Sequence, residues 1–493
     1  MKTNTSKVII VGAGFGGLAA AALLAKDGFR VEVYEKNVQL GGRAGVWEKD
    51  GFVFDMGPSW YLMPDVFEKF FGEFGCKPSD FFELKRLDPS YRIWFGENDY
   101  IDMPTDLGEV KKIFAKLEVD GDKKLEKYLE QAKYQYDIAM ERFIYRSYNS
   151  WTDVLDKQLM VEGSKLNVFG SMGKLAEKFF SSEKARKILL YTIVFLGGSP
   201  QVTPALYSIM THIDFSLGVW YPMEGINKVA LAIESLGKKH GAKFHYGKAV
   251  DKIIVEDGKA VGVEVGGKVY RADRVIVNAD YHFAETQLLE SKYQSYPEKY
   301  WEKKTVAPSA LIFYLGINKK LKNLAHHTLF FDGDWEAHFE NIFSKPSWPV
   351  SDPSFYVCAP SKTDKSVAPK NMENLFVLVP VASGLVDNEE IREKYFGQVI
   401  KRIEKLTGES IEKHIIVKRS FAHNDFAKEY NAYKGTALGL AHTLFQTAFL
   451  RPKQKSDKVK NLFYTGQYTH PGIGMPITLI SSSILHHTLT HEK

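Results

Sequence analysis

The sequence predicts an α/β chain, a Rossmann-like unit built from separated segments and interrupted by a mixed sheet and a helical insertion. Three observations predict it. Strand, glycine turn and helix follow one another over Val8–Lys26, and a second alternating run, Arg30–Tyr34, leads into an acidic residue. Far away, Asn461–Gly466 reads as a strand ending in glycine, followed by a Gly/Pro-rich turn and a helix from Ile477.

The first segment carries chemistry in its glycines. Val8–Val11 is a short β-branched run, and the Ala/Leu-rich stretch from Leu18 has high helix propensity. Between them Gly12 makes a tight turn, Gly14 lets the backbone approach a pyrophosphate, and Gly17 lets helix and strand pack closely. The helix start then presents free N–H groups and a positive dipole end to phosphate. Glu35, 23 residues after Gly12, is placed to accept hydrogen bonds from ribose hydroxyls and to repel a 2′-phosphate, which disfavours NADP. A second glycine turn, Leu40-Gly41-Gly42-Arg43, adds N–H groups and a guanidinium for a diphosphate. Two such contacts within forty residues suit FAD. The 18 uncharged residues Val8–Ala25 are therefore expected to be a cofactor-binding strand and helix, not a membrane span or signal segment.

Composition narrows the remaining classes. The 493 residues are enough for two or three domains, and 44% hydrophobic with 25% charged is a globular balance. Net charge is +5 with both signs interspersed, so no nucleic-acid footprint is seen. Cys76 and Cys358 form no CxxC pair, which suggests neither a disulfide framework nor a zinc site, and a reducing compartment is the default. No metal site is expected: His326-His327 and His486-His487 are adjacent pairs whose side chains should diverge on regular elements.

Further along, a turn at Trp220–Ile226 leads to a helix over Asn227–Lys239, then short strands over Phe244–Tyr246, Ala249–Val255 and Ala260–Val265. Arg274–Val277 is a buried strand ending in Asn278-Ala279-Asp280, polar residues where an open α/β sheet binds ligands. Two insertions, about Tyr61–Val219 and Tyr281–Ala427, separate these pieces. Ala310–Gly316 and Asn374–Pro380 look like strands of a separate sheet. Asp106–Arg146 is helical and charged, with Leu125, Tyr128, Leu129, Ala132, Tyr136, Ala139, Met140 and Phe143 in a stripe that reads as core-facing, a membrane-binding face being the alternative.

The start of the chain resembles the flavoprotein superfamily of amine oxidases, protoporphyrinogen oxidase and carotenoid desaturases. Phe54–Trp60, Tyr221–Ile226, Gly435–Pro452 and Thr469-His470-Pro471-Gly472-Ile473-Gly474-Met475-Pro476 are similar to bacterial phytoene-desaturase-type carotenoid desaturases. Thr465–Pro471 with Ile477–Ser481 looks closer to 1-hydroxycarotenoid 3,4-desaturases. The resemblance implies an FAD-binding domain from residues 1–70, 220–290 and 428–493, and a substrate domain from 71–219 and 291–427 with a helical insertion at about 106–150. It implies cofactor contacts at Phe15, Lys36, Gly57, Pro58, Ser59, Val250, Asn278, Gly466, Gly474 and Met475, beside Gly12, Gly14, Gly17, Glu35, Gly42 and Arg43. Asp55, Trp60, Tyr468 and His470 become candidates for helpers near the flavin ring.

The implied reaction is desaturation: a hydride leaves an allylic carbon for flavin N5, the cation spreads along the polyene, and an adjacent proton is lost. The implied substrate is a 1-hydroxylated acyclic or monocyclic carotenoid, with phytoene desaturation or another flavoenzyme of the superfamily as the alternatives. Such a substrate implies a cytoplasmic protein bound peripherally to the inner face of the cell membrane, with oxygen or a quinone as terminal acceptor. A cysteinyl-flavin amine oxidase would need a cysteine near the C-terminal turn, and none follows Cys358. A flavin-free lipid carrier resembling GDP-dissociation inhibitors would not need Gly12, Gly14, Gly17, Glu35 and Arg43 together.

Overall fold

In the computed structural model, which describes residues 6–147, 170–349, 352–447 and 450–491, the strand Lys7–Val11 is the middle of a five-stranded sheet. The order is Leu462–Tyr464, Arg274–Val277, Lys7–Val11, Arg30–Tyr34, Lys243–His245, and every pair is parallel. The middle strand is β-branched because both of its faces are covered, and Val8, Ile9 and Ile10 have no exposed surface. The chain departs on one side of it and returns on the other, so the strand order reverses at its carboxyl end. Open parallel sheets bind ligands at such a point.

Helix Phe15–Lys26 starts immediately after Gly14 and buries every residue from Phe15 to Ala25. It is apolar all round because helices Asn227–Lys239 and Met475–His491 pack against it as well as the sheet. The long apolar stretch of the sequence is thus an internal strand and helix. No helix among the described residues is long and apolar enough to cross a membrane.

The second sheet has seven strands, ordered Ile415–Phe421, Ser309–Ile317, Glu373–Val381, Phe355–Cys358, His327–Phe330, Tyr91–Gly96, Asp99–Met103. The two strands read from the sequence are antiparallel neighbours, in register from Ser309↔Val381 to Ile317↔Glu373. The Tyr91–Met103 hairpin was not anticipated. Its alternation is masked by charge, because Arg92 and Asp102 face each other as a cross-strand ion pair at 2.6 Å. It joins the sheet in parallel with His327–Phe330, and that one parallel pairing makes the sheet mixed.

The charged insertion is a helical hairpin, Leu107–Leu117 and Gly121–Ile138. The Asp106 carboxylate caps the first helix by accepting from the Glu109 N–H at 2.9 Å. Leu125, Tyr128, Leu129 and Ala132 are buried in the core, while Tyr136, also buried, reaches the wall of a cavity. Ala139, Met140 and Phe143, on a widened turn that follows, line the same cavity.

Candidate functional site

A cavity of about 1040 Å³ opens along the carboxyl edge of the parallel sheet and reaches one face of the seven-stranded sheet. At the first end the two glycine turns touch. The Gly41 N–H donates to the Ala13 carbonyl at 2.8 Å, and a Cβ on Gly42 would lie 3.4 Å from the Gly14 Cα. Gly12, at φ +98°, could not be replaced without strain. The Asn278 carboxamide sets the remaining glycines: a Cβ on Gly14, Gly16 or Gly466 would come within 2.9, 2.5 or 2.8 Å of it. Asn278 therefore wedges the N-terminal turn against the C-terminal strand, a role the sequence reading missed because its contacts are all long-range.

Glu35 is buried at the end of Arg30–Tyr34 and accepts N–H groups of Ala13 and Asn37, each at 2.8 Å. Burial pushes its pKa up, against the lowering by these bonds. Its carboxylate lines the cavity wall and can accept further hydrogen bonds there. The Arg43 guanidinium sits 5.3 Å from the Tyr430 ring and donates to the Thr436 carbonyl at 3.4 Å, while its buried Nε finds no partner among the described residues. An orphaned cationic donor beside two glycine turns fits a diphosphate, and the Glu35 oxygens fit a ribose. Replacing Glu35 with Ala is expected to weaken FAD binding about tenfold, or about 1.4 kcal/mol, in a flavin fluorescence titration. Unchanged affinity would mean that no ribose is held there.

Phe15, Lys36, Gly57, Pro58, Ser59, Trp60, Val250, Gly466, Tyr468, His470, Gly474 and Met475 line the same cavity. Several also have structural partners. The Lys36 ammonium donates to the Lys428 carbonyl at 2.6 Å, Ser59 shares a hydrogen bond with Tyr356 at 2.9 Å, and Trp60 stacks on His327 at 4.0 Å. The Tyr468 hydroxyl donates to the buried Asp280 carboxylate. His470 Nε2 donates to the Ile144 carbonyl at 3.2 Å, tying the C-terminal turn to the helical insertion. Burial holds its pKa down to about 4, so the ring is neutral at physiological pH.

Two residues stand elsewhere. Gly17 faces the Gly12 carbonyl oxygen, 2.0 Å from where a Cβ would sit, so it serves helix–strand packing. Asp55 lies outside the cavity wall, where its carboxylate accepts N–H groups of Ile226 at 2.9 Å and Asn227 at 3.3 Å at the start of helix Asn227–Lys239. Burial pushes its pKa up to about 6. Its placement makes it a helix cap, with partners 171 and 172 residues away that no local pattern shows.

The other end of the cavity is hydrocarbon. Ile312, Leu378, Tyr356 and Leu329 form one register row across four strands, all facing it, and Trp335 and Phe339 extend that wall. Behind Tyr191, another lining residue, the hydroxyls of Tyr91 and Tyr191 both donate to Asp214 Oδ2 at 2.8 Å. Asp214 Oδ1 is buried with no partner among the described residues, and burial pushes the carboxyl up to about 7. The motif residue Arg451 donates to four carbonyls, among them Gln446 at 3.0 Å and Gln467 at 2.7 Å, so it clamps two cavity loops together. The expectation that the His326 and His327 rings diverge is corrected: their centroids are 4.5 Å apart, because His326 precedes the strand that His327 begins and is free of its alternation.

Comparison with known proteins agrees with this geometry. A family model described as flavin containing amine oxidoreductase matches residues 15–482. A carotenoid 3,4-desaturase of Haloarcula japonica is 46% identical over 475 residues, covering 96% of this chain and 96% of that protein. A zeta-carotene-forming phytoene desaturase of Myxococcus xanthus is 34% identical, covering 98% and 93%. Among solved structures, an oxidoreductase from Methanosarcina mazei superposes with a TM-score of 0.64 at 16% identity, over 98% of this chain and 100% of that one. The chain belongs to the flavin-containing amine oxidoreductase family, and its cofactor is FAD.

Proposed function

We propose that this protein is an FAD-dependent carotenoid desaturase that introduces a C=C bond at the 3,4 position of a 1-hydroxylated acyclic or monocyclic carotenoid. The observation that carries this reading is one cavity with a dinucleotide cradle at one end and a hydrocarbon wall at the other, in a chain 46% identical to a carotenoid 3,4-desaturase. Bound FAD supplies a hydride acceptor at N5. The chain's own contribution is placement: the row Ile312, Leu378, Tyr356, Leu329 holds an apolar ligand in line and excludes water.

A proton must also leave the substrate. Tyr191 lines the cavity and its hydroxyl donates to Asp214 Oδ2, so as the Tyr191 oxygen takes the substrate proton its own proton passes to Asp214. Asp214 is a base above about pH 7 and a neutral acid below it. The rate is therefore expected to rise with pH through about 7. Asp214→Asn is expected to remove that rise and lower kcat roughly tenfold, less than a base touching substrate because it acts through Tyr191. An Asn variant with the wild-type pH profile would dismiss the relay.

A membrane hydrocarbon as substrate supports peripheral attachment at the inner face of the cell membrane, and Phe445, 77% exposed, is a side chain suited to such contact. Oxygen or a quinone then serves as terminal acceptor. Incubating the protein with FAD and either phytoene or a 1-hydroxylated carotenoid tests the reading. The expected product is two hydrogens lighter, with longer-wavelength polyene absorption, and forms only from the hydroxylated substrate. Turnover of phytoene alone would move the assignment to phytoene desaturation, the reaction of the Myxococcus xanthus relative. No new double bond in either would end the desaturase reading.

A further inference from the structure

Behind Trp60, three soft ligand side chains converge. His327 and Cys358 are direct cross-strand partners, and the Ala359 N–H donates to the His326 carbonyl at 2.7 Å, which holds His326 beside them. One ring nitrogen from each histidine and the Cys358 sulfur all lie within 4.8 Å of one another. His326 is 5% exposed, His327 0% and Cys358 1%.

The two imidazoles are oriented as ligands are. His326 Nδ1 is 2.7 Å from the Thr363 hydroxyl and His327 Nδ1 is 2.6 Å from the Tyr356 hydroxyl. Donation from Nδ1 to these oxygens leaves Nε2 of each ring with its lone pair outward. Both Nε2 atoms are buried and have no hydrogen-bond partner among the described residues. Buried nitrogens in an ordinary core are satisfied, so two orphaned ring nitrogens in a cluster with a thiol, itself hydrogen-bonded to Tyr356, call for an electron-pair acceptor. Trp60 stacks on His327 and Tyr221 meets His326 edge-on at 4.6 Å, so the rings are fixed and water is kept out.

We propose that His326, His327 and Cys358 form a closed three-coordinate site for a soft monovalent cation, copper(I). Two neutral imidazoles and one thiolate give copper(I) a neutral complex, which a dry interior accepts. Zinc(II) would bring an unbalanced charge and normally takes four ligands, whereas three converge here. Binding forms one Cu–S and two Cu–N bonds and releases the thiol proton, with no change in the oxidation state of the metal.

The test uses full-length flavoprotein produced in copper-supplemented culture, kept reduced and anaerobic, and desalted against a chromophoric copper(I) chelator. One copper per chain is expected to remain, and X-ray absorption of the wild-type protein is expected to read one sulfur and two nitrogens. Cys358→Ser and His326→Gln are expected to retain at least about tenfold less copper, with flavin content and melting temperature measured on each to verify folding. Cys76→Ser is expected to retain it fully. Loss of all copper from the wild type, copper bound only by nitrogen and oxygen, or equal retention by a folded Cys358→Ser or His326→Gln protein would overturn the site. Stoichiometric zinc in place of copper would overturn the copper assignment.

Discussion

Gly17→Ala is expected to yield a nearly colourless protein. The added methyl would lie 2.0 Å from the Gly12 carbonyl oxygen and 3.2 Å from Asn278 Nδ2. Neither is the loose end of a flexible chain. Gly12 belongs to the turn itself, and Asn278 is wedged among three other glycines. Helix Phe15–Lys26 must therefore back away from the sheet, taking its N–H groups out of line with the second glycine turn. Overpacking of an ordinary core costs about 1–3 kcal/mol, and here the displacement falls on the phosphate cradle as well. FAD per purified chain, read from visible absorbance, is expected to drop at least about tenfold with a lower melting temperature. Gly72→Ala is the matched control, because nothing lies within 4 Å of its Cβ, and it is expected to stay fully yellow. A Gly17→Ala protein with wild-type flavin content would show that helix–strand contact does not set the cradle.

Leu378→Trp is expected to separate the two ends of the cavity. Leu378 sits in the middle of the register row that runs from Ile312 to Leu329, on a strand nine residues long and paired on both edges. A larger ring there projects into the cavity because the strand cannot shift without breaking both ladders. FAD content is expected to be unchanged, since Leu378 is on the opposite sheet from the glycine turns. Turnover of a carotenoid is expected to fall roughly 100-fold or more, as an in-line extended ligand has no way around an obstruction. Full activity with the tryptophan in place would mean that the polyene takes another route.

The cofactor half was legible because its signals are local. Strand, turn and helix each occupy a few consecutive residues, and glycine has a steric meaning before any partner is known. Helix Asn227–Lys239 was read to the residue for the same reason. The hydrocarbon half was less legible. The two nine-residue strands stood out as apolar runs, but the Tyr91–Met103 hairpin hid behind an Arg92–Asp102 pair whose neutrality appears only across strands. Asp55, Asn278 and Asp214 carry roles fixed by distant partners: backbone N–H groups 171 and 172 residues from Asp55, glycines of other segments around Asn278, and for Asp214 the Tyr91 hydroxyl 123 residues away. The converging rings of His326 and His327 depend on where a strand begins, a boundary that sequence places only within a few residues.

The central strand of the parallel sheet has a consequence for biosynthesis. Lys7–Val11 is made long before its neighbour Arg274–Val277 and the edge strand Leu462–Tyr464, and helix Met475–His491 comes later still. At about 5–20 residues per second, helix Phe15–Lys26 waits roughly 20–90 s for the last surface that covers it. During translation that helix is a sticky apolar rod in need of a chaperone or of provisional burial. The flavin cradle is accordingly complete only once strand Leu462–Tyr464 and helix Met475–His491 have been made and have joined the sheet of Lys7–Val11 and helix Phe15–Lys26.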